Sequence, residues 1–479
     1  MCNDPEKEPL IILARKTPYH RMTSSTSTGA NAPLLQVNKP PAKHTSVSGV
    51  VFNVSTSIIG AGIMAIPATL KVLGVVPAFL LIVIIAWLAD ISVEFLMRYT
   101  NTGKSTTYAG VMKESFGRVG SFVLQACVVL NNLGCLIIYL IIIGKSISFR
   151  EFQQLIMFLN AEMDGDVLSG NQPEGSVHLG VLQEWFGVHW WNSRAFSILF
   201  TVVFIMLPLV SYRRVEALRF SSAIAVLLAV LFVAISSVMA ITALFQGKTE
   251  RPRLLPYLDN RASFFDLFTA VPVIVTAFNF HFNVHPIGFE MDKPSDMMKA
   301  VRISLILCGA IYFAIGVFGY LLFGESITSD ILVNFDQNSG SALGPVLNDI
   351  VRLSYALHLM LVFPLLNFSL RANIDEFLFP SRLIPARDNI RFMSVTVILL
   401  AICYLAAIAI PNIWYFFQVM GSTTAVSIAF VFPGAIAFRD VHGISTLRDR
   451  IISALMIILA AVTSTIALST NIYSLSTEL

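Results

Sequence analysis

The sequence predicts an all-α, polytopic membrane protein with about eleven transmembrane helices, and three observations carry this. Of 479 residues, 56% are hydrophobic and only 13% charged, about half the charge of a soluble domain. Eleven apolar segments follow a polar N-terminus, most of them long enough to cross a bilayer. Two of them, the first and the sixth, are interrupted by residues that do not suit a regular helix in hydrocarbon.

Residues 1–47 are rich in Ser, Thr and Pro and cannot bury a core, so they predict a disordered tail. No signal peptide precedes them, because the apolar run Leu10–Ala14 is too short. The expected spans are 48–70, 74–97, 121–143, 195–211, 219–245, 264–288, 300–322, 347–370, 391–410, 413–437 and 451–472. The ninth and tenth meet in a tight joint at Pro411-Asn412. With the N-terminus in the cytosol, 23 of the 32 lysines and arginines fall on cytosolic pieces. The positive-inside rule therefore selects a cytosolic N-terminus and, after eleven spans, a non-cytosolic tail at 473–479. Lys248, Arg251, Arg253 and Arg261 run against the trend.

The first span reads TSVSGVVFNVSTSIIGAGIMAIPATL from Thr45 to Leu70 and is broken by Gly60-Ala61-Gly62. Glycine weakens a helix interior, and freed backbone groups at membrane depth need protein, water or ligand. The sixth span carries Asn279, His281, Asn283, His285 and Pro286; intramembrane polar groups mark function, and Pro286 disfavours a regular helix before it. Two interrupted spans, five apart and oppositely directed, predict two inverted five-helix repeats, about 48–245 and 264–437, with a midplane site between the breaks. Helix 451–472 is then an addition. Small residues also allow close helix packing, and His281 and His285, one turn apart, also suit hydrogen-bonded packing.

Cysteine spacing gives no disulfide framework or metal site, and no paired nucleophile and base or nucleotide motif appears. The chain reads as neither an enzyme nor a nucleic-acid binder, and it calls for no cofactor.

FNVSTSIIGAGIMAIPATLKVLG at 52–74 resembles the first helix of the amino acid/auxin permease family, which holds sodium-coupled neutral amino acid transporters and vacuolar amino acid transporters. IPNIWYFFQVMGSTTAVSIAFVFPGAIAFRD at 410–440 resembles that family's tenth helix. The resemblance runs over about 46–472 and lies nearest the plant and vacuolar branch. It implies a LeuT-like fold and secondary active transport of neutral or acidic amino acids by alternating access. Carried over, Ile59, Gly60, Ala61, Gly62 and Ile63 bind the α-carboxylate and α-amino groups, while Phe278, Asn279, Phe280 and His281 face the side chain. Half-helix ends suit this, with amides favouring an anion and carbonyls a cation.

In the sodium-coupled branch an Asn of the first helix and a Thr of the eighth serve sodium. Their positions here hold Thr56 and Met360. Thr56 still offers oxygen to substrate or ion, but sulfur is a soft ligand that suits sodium poorly. A proton is the simpler coupling ion, with His281, His358, Asp90 and Glu94 as candidates; the bland reading of Asp90 and Glu94 is surface pairing, Glu94 with Arg98. Sodium coupling is the alternative, as is a transceptor that signals through the tail. Glu6-Lys7-Glu8-Pro9-Leu10-Ile11 fits an acidic dileucine pattern that sorting adaptors read through Glu6, Leu10 and Ile11, which favours a vacuolar or endolysosomal membrane over the plasma membrane.

Overall fold

The computed structural model describes residues 46–147, 181–187, 189–211, 219–249, 251–258, 261–289, 291, 294–335, 344–378, 389–410 and 413–478. The tail with Glu6, Leu10 and Ile11, most of the polar stretch between the expected third and fourth spans, and the Pro411-Asn412 joint lie outside these. Among the described residues nine helices are long and apolar enough to cross a membrane. They are Val75–Thr102, Tyr108–Ile147, Phe220–Phe245, Phe264–Gly288, Met297–Ser326, Gly344–Asp375, Asn389–Ala409, Phe416–Arg439 and Leu447–Tyr473. A tenth crossing is the pair Val47–Ile58 and Ala61–Leu73, bent by 51°. The apolar helix Arg194–Val210 is shorter, about 25 Å at helical rise, and contains a π-helical stretch at Thr201–Met206. In chain order these elements correspond to the expected first to eleventh spans; nine or ten of them are long enough to cross a membrane among the described residues, and the fourth, Arg194–Val210, is shorter.

Tyr108–Ile147 is two helices that meet at a break at Gly117 (φ +69°, ψ −163°): a short helix precedes it, and the third span proper follows it, close to the expected 121. The polar run before 121 is therefore helical itself, joined to the span through Gly117.

The layering follows from which helices can tolerate lipid. The sixth and eighth spans are buried over 78% of their most apolar stretch, the second and eleventh over only 28%. Exposed apolar residues such as Leu80 and Trp87 cover the second span's outer side, as hydrocarbon permits. The broken first and sixth spans thus sit at the centre.

Each end of the molecule is tied by charge. At the end where the first span begins, Arg302 of the seventh span pairs with Asp90 (3.2 Å) and Glu94 (3.3 Å) of the second. Arg98 reaches Asp449 of the eleventh at 3.0 Å and Glu94 at 3.5 Å. At the opposite end, Arg253 clamps Glu325 (2.8 and 3.0 Å) and donates to the carbonyl of Lys71 at 2.8 Å.

Candidate functional site

The first break is a short non-helical step. Ile59 is extended (φ −73°, ψ 98°) and Gly60 more so (φ −139°, ψ −152°), after which Ala61–Ala65 forms a tight turn leading into Ile66–Leu73. Glycine is required here for space. A Cβ on Gly60 would lie 2.2 Å from the Tyr139 hydroxyl oxygen, and one on Gly62 would lie 2.7 Å from the Ala277 Cα.

A bent helix leaves carbonyls without their usual amides, and an unsatisfied buried polar group costs about 1–3 kcal/mol. Side chains from two other spans answer this. Tyr312 of the seventh meets the carbonyl oxygen of Ile58 at 2.6 Å. Tyr355 of the eighth donates to the carbonyl of Gly60 at 2.6 Å. His358, one turn on, places Nε2 3.2 Å from the carbonyl of Ile59. On the amide side, the Tyr139 hydroxyl of the third span faces the Ala61 N–H.

The second break lies at Phe278–Phe280, between Ala270–Ala277 and His281–Phe289. The chain opens before Pro286, at the start of the interrupted stretch, and the proline itself sits inside the second half-helix. The two breaks abut, since Gly62 packs on Ala277. Tyr312 joins them, its hydroxyl also lying 2.9 Å from the carbonyl of Ala277. Phe278 packs edge-on against Tyr312 with centroids 5.2 Å apart. Phe280 is fully buried. Asn279 donates to Asn131 of the third span at 3.0 Å, and its own Oδ1 has no partner among the described residues.

The histidines separate into two kinds. His281 Nε2 lies 2.6 Å from Ser92 Oγ, which donates to the carbonyl of Ala89. His285 Nε2 lies 2.8 Å from Thr100 Oγ1, which donates to the carbonyl of Leu96. Each hydroxyl has spent its proton on its own helix, so it accepts from the ring, and a neutral imidazole suffices. His358 differs. Its Nδ1 lies 2.6 Å from the carbonyl of Ala225 and its Nε2 3.2 Å from that of Ile59. Carbonyls only accept, and a neutral ring carries one N–H. Only the imidazolium satisfies both contacts.

Thr56 donates to the carbonyl of Ser222 at 3.3 Å, tying the first span to the fifth. Asp90 and Glu94 stand apart from the breaks, in the ion pairs with Arg302 and Arg98. Sequence reasoning missed Tyr139, Tyr312, Tyr355 and Asn131. One signal was available: a tyrosine deep in an apolar span needs a hydroxyl partner.

Comparison with known proteins now decides the family. The family profile described as "Transmembrane amino acid transporter protein" matches residues 43–474. The chain belongs to this family of amino acid transporters. Amino acid transporter AVT6C of Arabidopsis thaliana is 61% identical over 431 residues, 90% of this chain and 94% of that protein. Amino acid transporter AVT6A of the same plant is 43% identical, over 97% of this chain and 98% of that one. Sodium-coupled neutral amino acid transporter 7 of Danio rerio is 25% identical over 81% of this chain and 78% of its own. The family is one of transporters, so this is a multi-pass transport protein and not an enzyme. Among solved structures, MhsT in complex with L-phenylalanine superposes with a TM-score of 0.53 at 14% identity, covering 90% of this chain and all of that one. That likeness establishes the LeuT-like fold, with five-plus-five inverted repeats and broken first and sixth helices.

Proposed function

We propose that the chain carries neutral or acidic amino acids across its membrane by alternating access, as a proton-linked, sodium-independent secondary transporter. The observation that carries this reading is the pairing of the breaks. Backbone groups from Ile58 to Ala61 are held by exchangeable side-chain contacts with Tyr312, His358, Tyr355 and Tyr139. A zwitterion offers the same chemistry, its ammonium for the carbonyls and its carboxylate for the amides of the turn. In this reading Thr56, Ile59, Gly60, Ala61, Gly62 and Ile63 serve the α-groups. Phe278, Asn279, Phe280 and His281 line the side-chain end.

His358 supports the proton as coupling ion. Protonated, it donates to carbonyls of both the first and fifth spans; neutral, it can keep only one of the two, so gain or loss of one proton changes how tightly the first break is held. His281 has the neutral-ring geometry, and Asp90 and Glu94 are engaged with arginines, which leaves His358 the best placed of the four candidates. Buried Met360 offers sulfur where an oxygen suits sodium better. Sodium coupling remains the second reading, because one relative bears it in its name. The balance of Lys and Arg supports a cytosolic N-terminus, and the dileucine pattern at Glu6, Leu10 and Ile11 supports a vacuolar or endolysosomal membrane.

Reconstituted proteoliposomes test the proposal. A panel of radiolabelled amino acids is offered with a pH gradient, with a sodium gradient and with neither. Concentrative uptake of neutral or acidic amino acids with the pH gradient alone is expected. Uptake that requires sodium would overturn the coupling, and no uptake of any amino acid would overturn the substrate class.

A further inference from the structure

Between the seventh and eighth spans, at the end of the molecule held by Arg253, the chain forms a compact plug. Its short helix, Ile331–Asn334, packs against both the third span and the turn Ala61–Ala65 that follows the first break. The plug is internally braced. Asn334 Oδ1 accepts from the amide of Thr328 at 3.0 Å, and its Nδ2 donates to the carbonyl of Ser326 at 3.0 Å. Ile331 is fully buried, with its Cδ1 2.5 Å from where a Cβ on Gly319 would stand.

An aromatic chain leads from the plug to the break. Phe335 packs on Phe323 (5.0 Å) and Phe232 (6.4 Å), and Phe232 packs on Tyr355 (4.9 Å). Tyr355 in turn holds the carbonyl of Gly60. A displacement of the plug therefore bears on a contact of the first break itself.

The plug carries one buried acid. Asp330 is 2% exposed. Its Oδ1 caps the short helix by accepting from the Leu332 amide at 3.1 Å, while Oδ2 has no hydrogen-bond partner among the described residues. The positive charges acting on it are Lys145 at the end of the third span and Arg352 of the eighth. Its charge is also felt by Tyr355. Arg194 of the fourth span acts on Lys145, and at the plug's base Lys71 donates to the carbonyl of Ile327 while Glu325 is taken by Arg253. A buried carboxylate that keeps one oxygen unpaired is poorly stabilised as an anion. Burial pushes the Asp330 carboxyl up from its ordinary range, and Lys145, the Leu332 amide and Arg352 offset this only in part.

We propose that Asp330 is a proton-operated latch: ionised, it is attracted by the charges of Lys145 and Arg352 and keeps the plug seated on the first break; protonated, it loses that attraction and the plug lifts. The inference rests on the proton-linked reading and adds a second site to it. His358 sets the hold on the break from within, and Asp330 sets access to it from one face.

The test is counterflow of tritiated L-alanine and L-glutamate into proteoliposomes with the same pH inside and outside, stepped from 5 to 8 in roughly half-unit intervals, a window set by carboxyl and imidazole titration. Equal pH on both sides removes the driving force, so the profile reads access alone. The wild type is expected to speed up as pH falls. Asp330→Asn should remove that acid-dependent component and stay fast at high pH, and Asp330→Glu should restore a slope. Lys145→Gln removes a charge that favours the ionised acid, so its midpoint should move to higher pH by about one unit or more. A purely structural role for either residue would not move a midpoint. A wild-type slope retained in Asp330→Asn, or an unmoved midpoint in Lys145→Gln, overturns the latch; if Asp330→Asn does not fold, Lys145→Gln and Asp330→Glu decide. A wild type indifferent to pH in this exchange overturns the latch as well, while the proton-linked reading on which it rests is tested separately by uptake driven by a pH gradient.

Discussion

The hydroxyl of Tyr355 lies 2.6 Å from the carbonyl oxygen of Gly60. This joins the eighth span to the first inside the break, one residue after Ile59 leaves helical geometry. If substrate ammonium takes over that carbonyl, Tyr355 and substrate compete for it. Tyr355→Phe should then lower the stability of the ligand-free protein by about 1–3 kcal/mol, the cost of an unpaired buried carbonyl. The rise in Tm on adding amino acid should be larger than in the wild type, because the ligand restores the missing partner. An equal or smaller rise would argue that the ligand does not bind at Gly60.

Tyr312 spans both breaks, reaching Ile58 at 2.6 Å and Ala277 at 2.9 Å. Tyr312→Phe should therefore loosen the two half-helix ends together. We expect uptake to fall about tenfold or more, corresponding to roughly 1.4 kcal/mol, with protein still inserted and monodisperse. Initial-rate uptake at matched protein density checks this; unchanged rates would show that the breaks do not depend on this bridge.

His358→Gln keeps a donor but cannot titrate. The glutamine should keep gradient-free exchange and lose concentrative uptake driven by a pH gradient. Parallel measurement of exchange and net uptake separates these, and a variant that still concentrates substrate would move proton coupling elsewhere.

At the end where the first span begins, Asp440 adopts a left-handed conformation (φ +49°). It accepts from Tyr99 (2.6 Å), from the amides of Ile444 and Ser445 and from Arg450 (3.0 Å). Burial alone would raise its pKa, but these donors outweigh it and hold the carboxyl at about 2. A depressed folded pKa gives stability that is full above the unfolded value, about 3.9, and is lost as pH falls towards 2. Asp440→Asn tolerates the backbone and keeps one acceptor oxygen. It is neutral like the protonated acid, however, and turns a donor towards Arg450, so it should lose the charge-dependent part of this stability and with it the acid dependence. Asp440→Ala should cost about 1–3 kcal/mol. Thermal unfolding at neutral pH compares them, and equal losses would mean that the carboxylate charge dominates.

Much of the fold was legible in the chain because hydrocarbon imposes simple rules. Apolar run lengths placed the spans, and Gly60 and Gly62 placed the first break, since each sits where another backbone or side chain approaches too closely for a Cβ. The sixth break was located less well. Pro286 drew attention, but the chain opens at Phe278–Phe280, where Asn279 finds a partner across the bundle in Asn131. Long-range pairing decided the position, and local propensity does not carry that information. The tyrosines that hold the break were hidden for the same reason: Tyr139, Tyr312 and Tyr355 are ordinary apolar-span residues until three helices meet. Nothing in the sequence singles out Asp330; only its burial, next to a helix packed on the first break, distinguishes it.

Central to the proposed function is an amino acid held by the backbone of the first break where it faces the sixth. Equilibrium binding of the radiolabelled amino acid to purified wild type and Gly62→Leu tests this most directly. A side chain at position 62 must displace Ala277, whose Cα lies 2.7 Å from the added Cβ. Saturable binding to the wild type and none to the variant is expected, with the variant still folded and monodisperse. Binding to Gly62→Leu with wild-type affinity would contradict a site at this break.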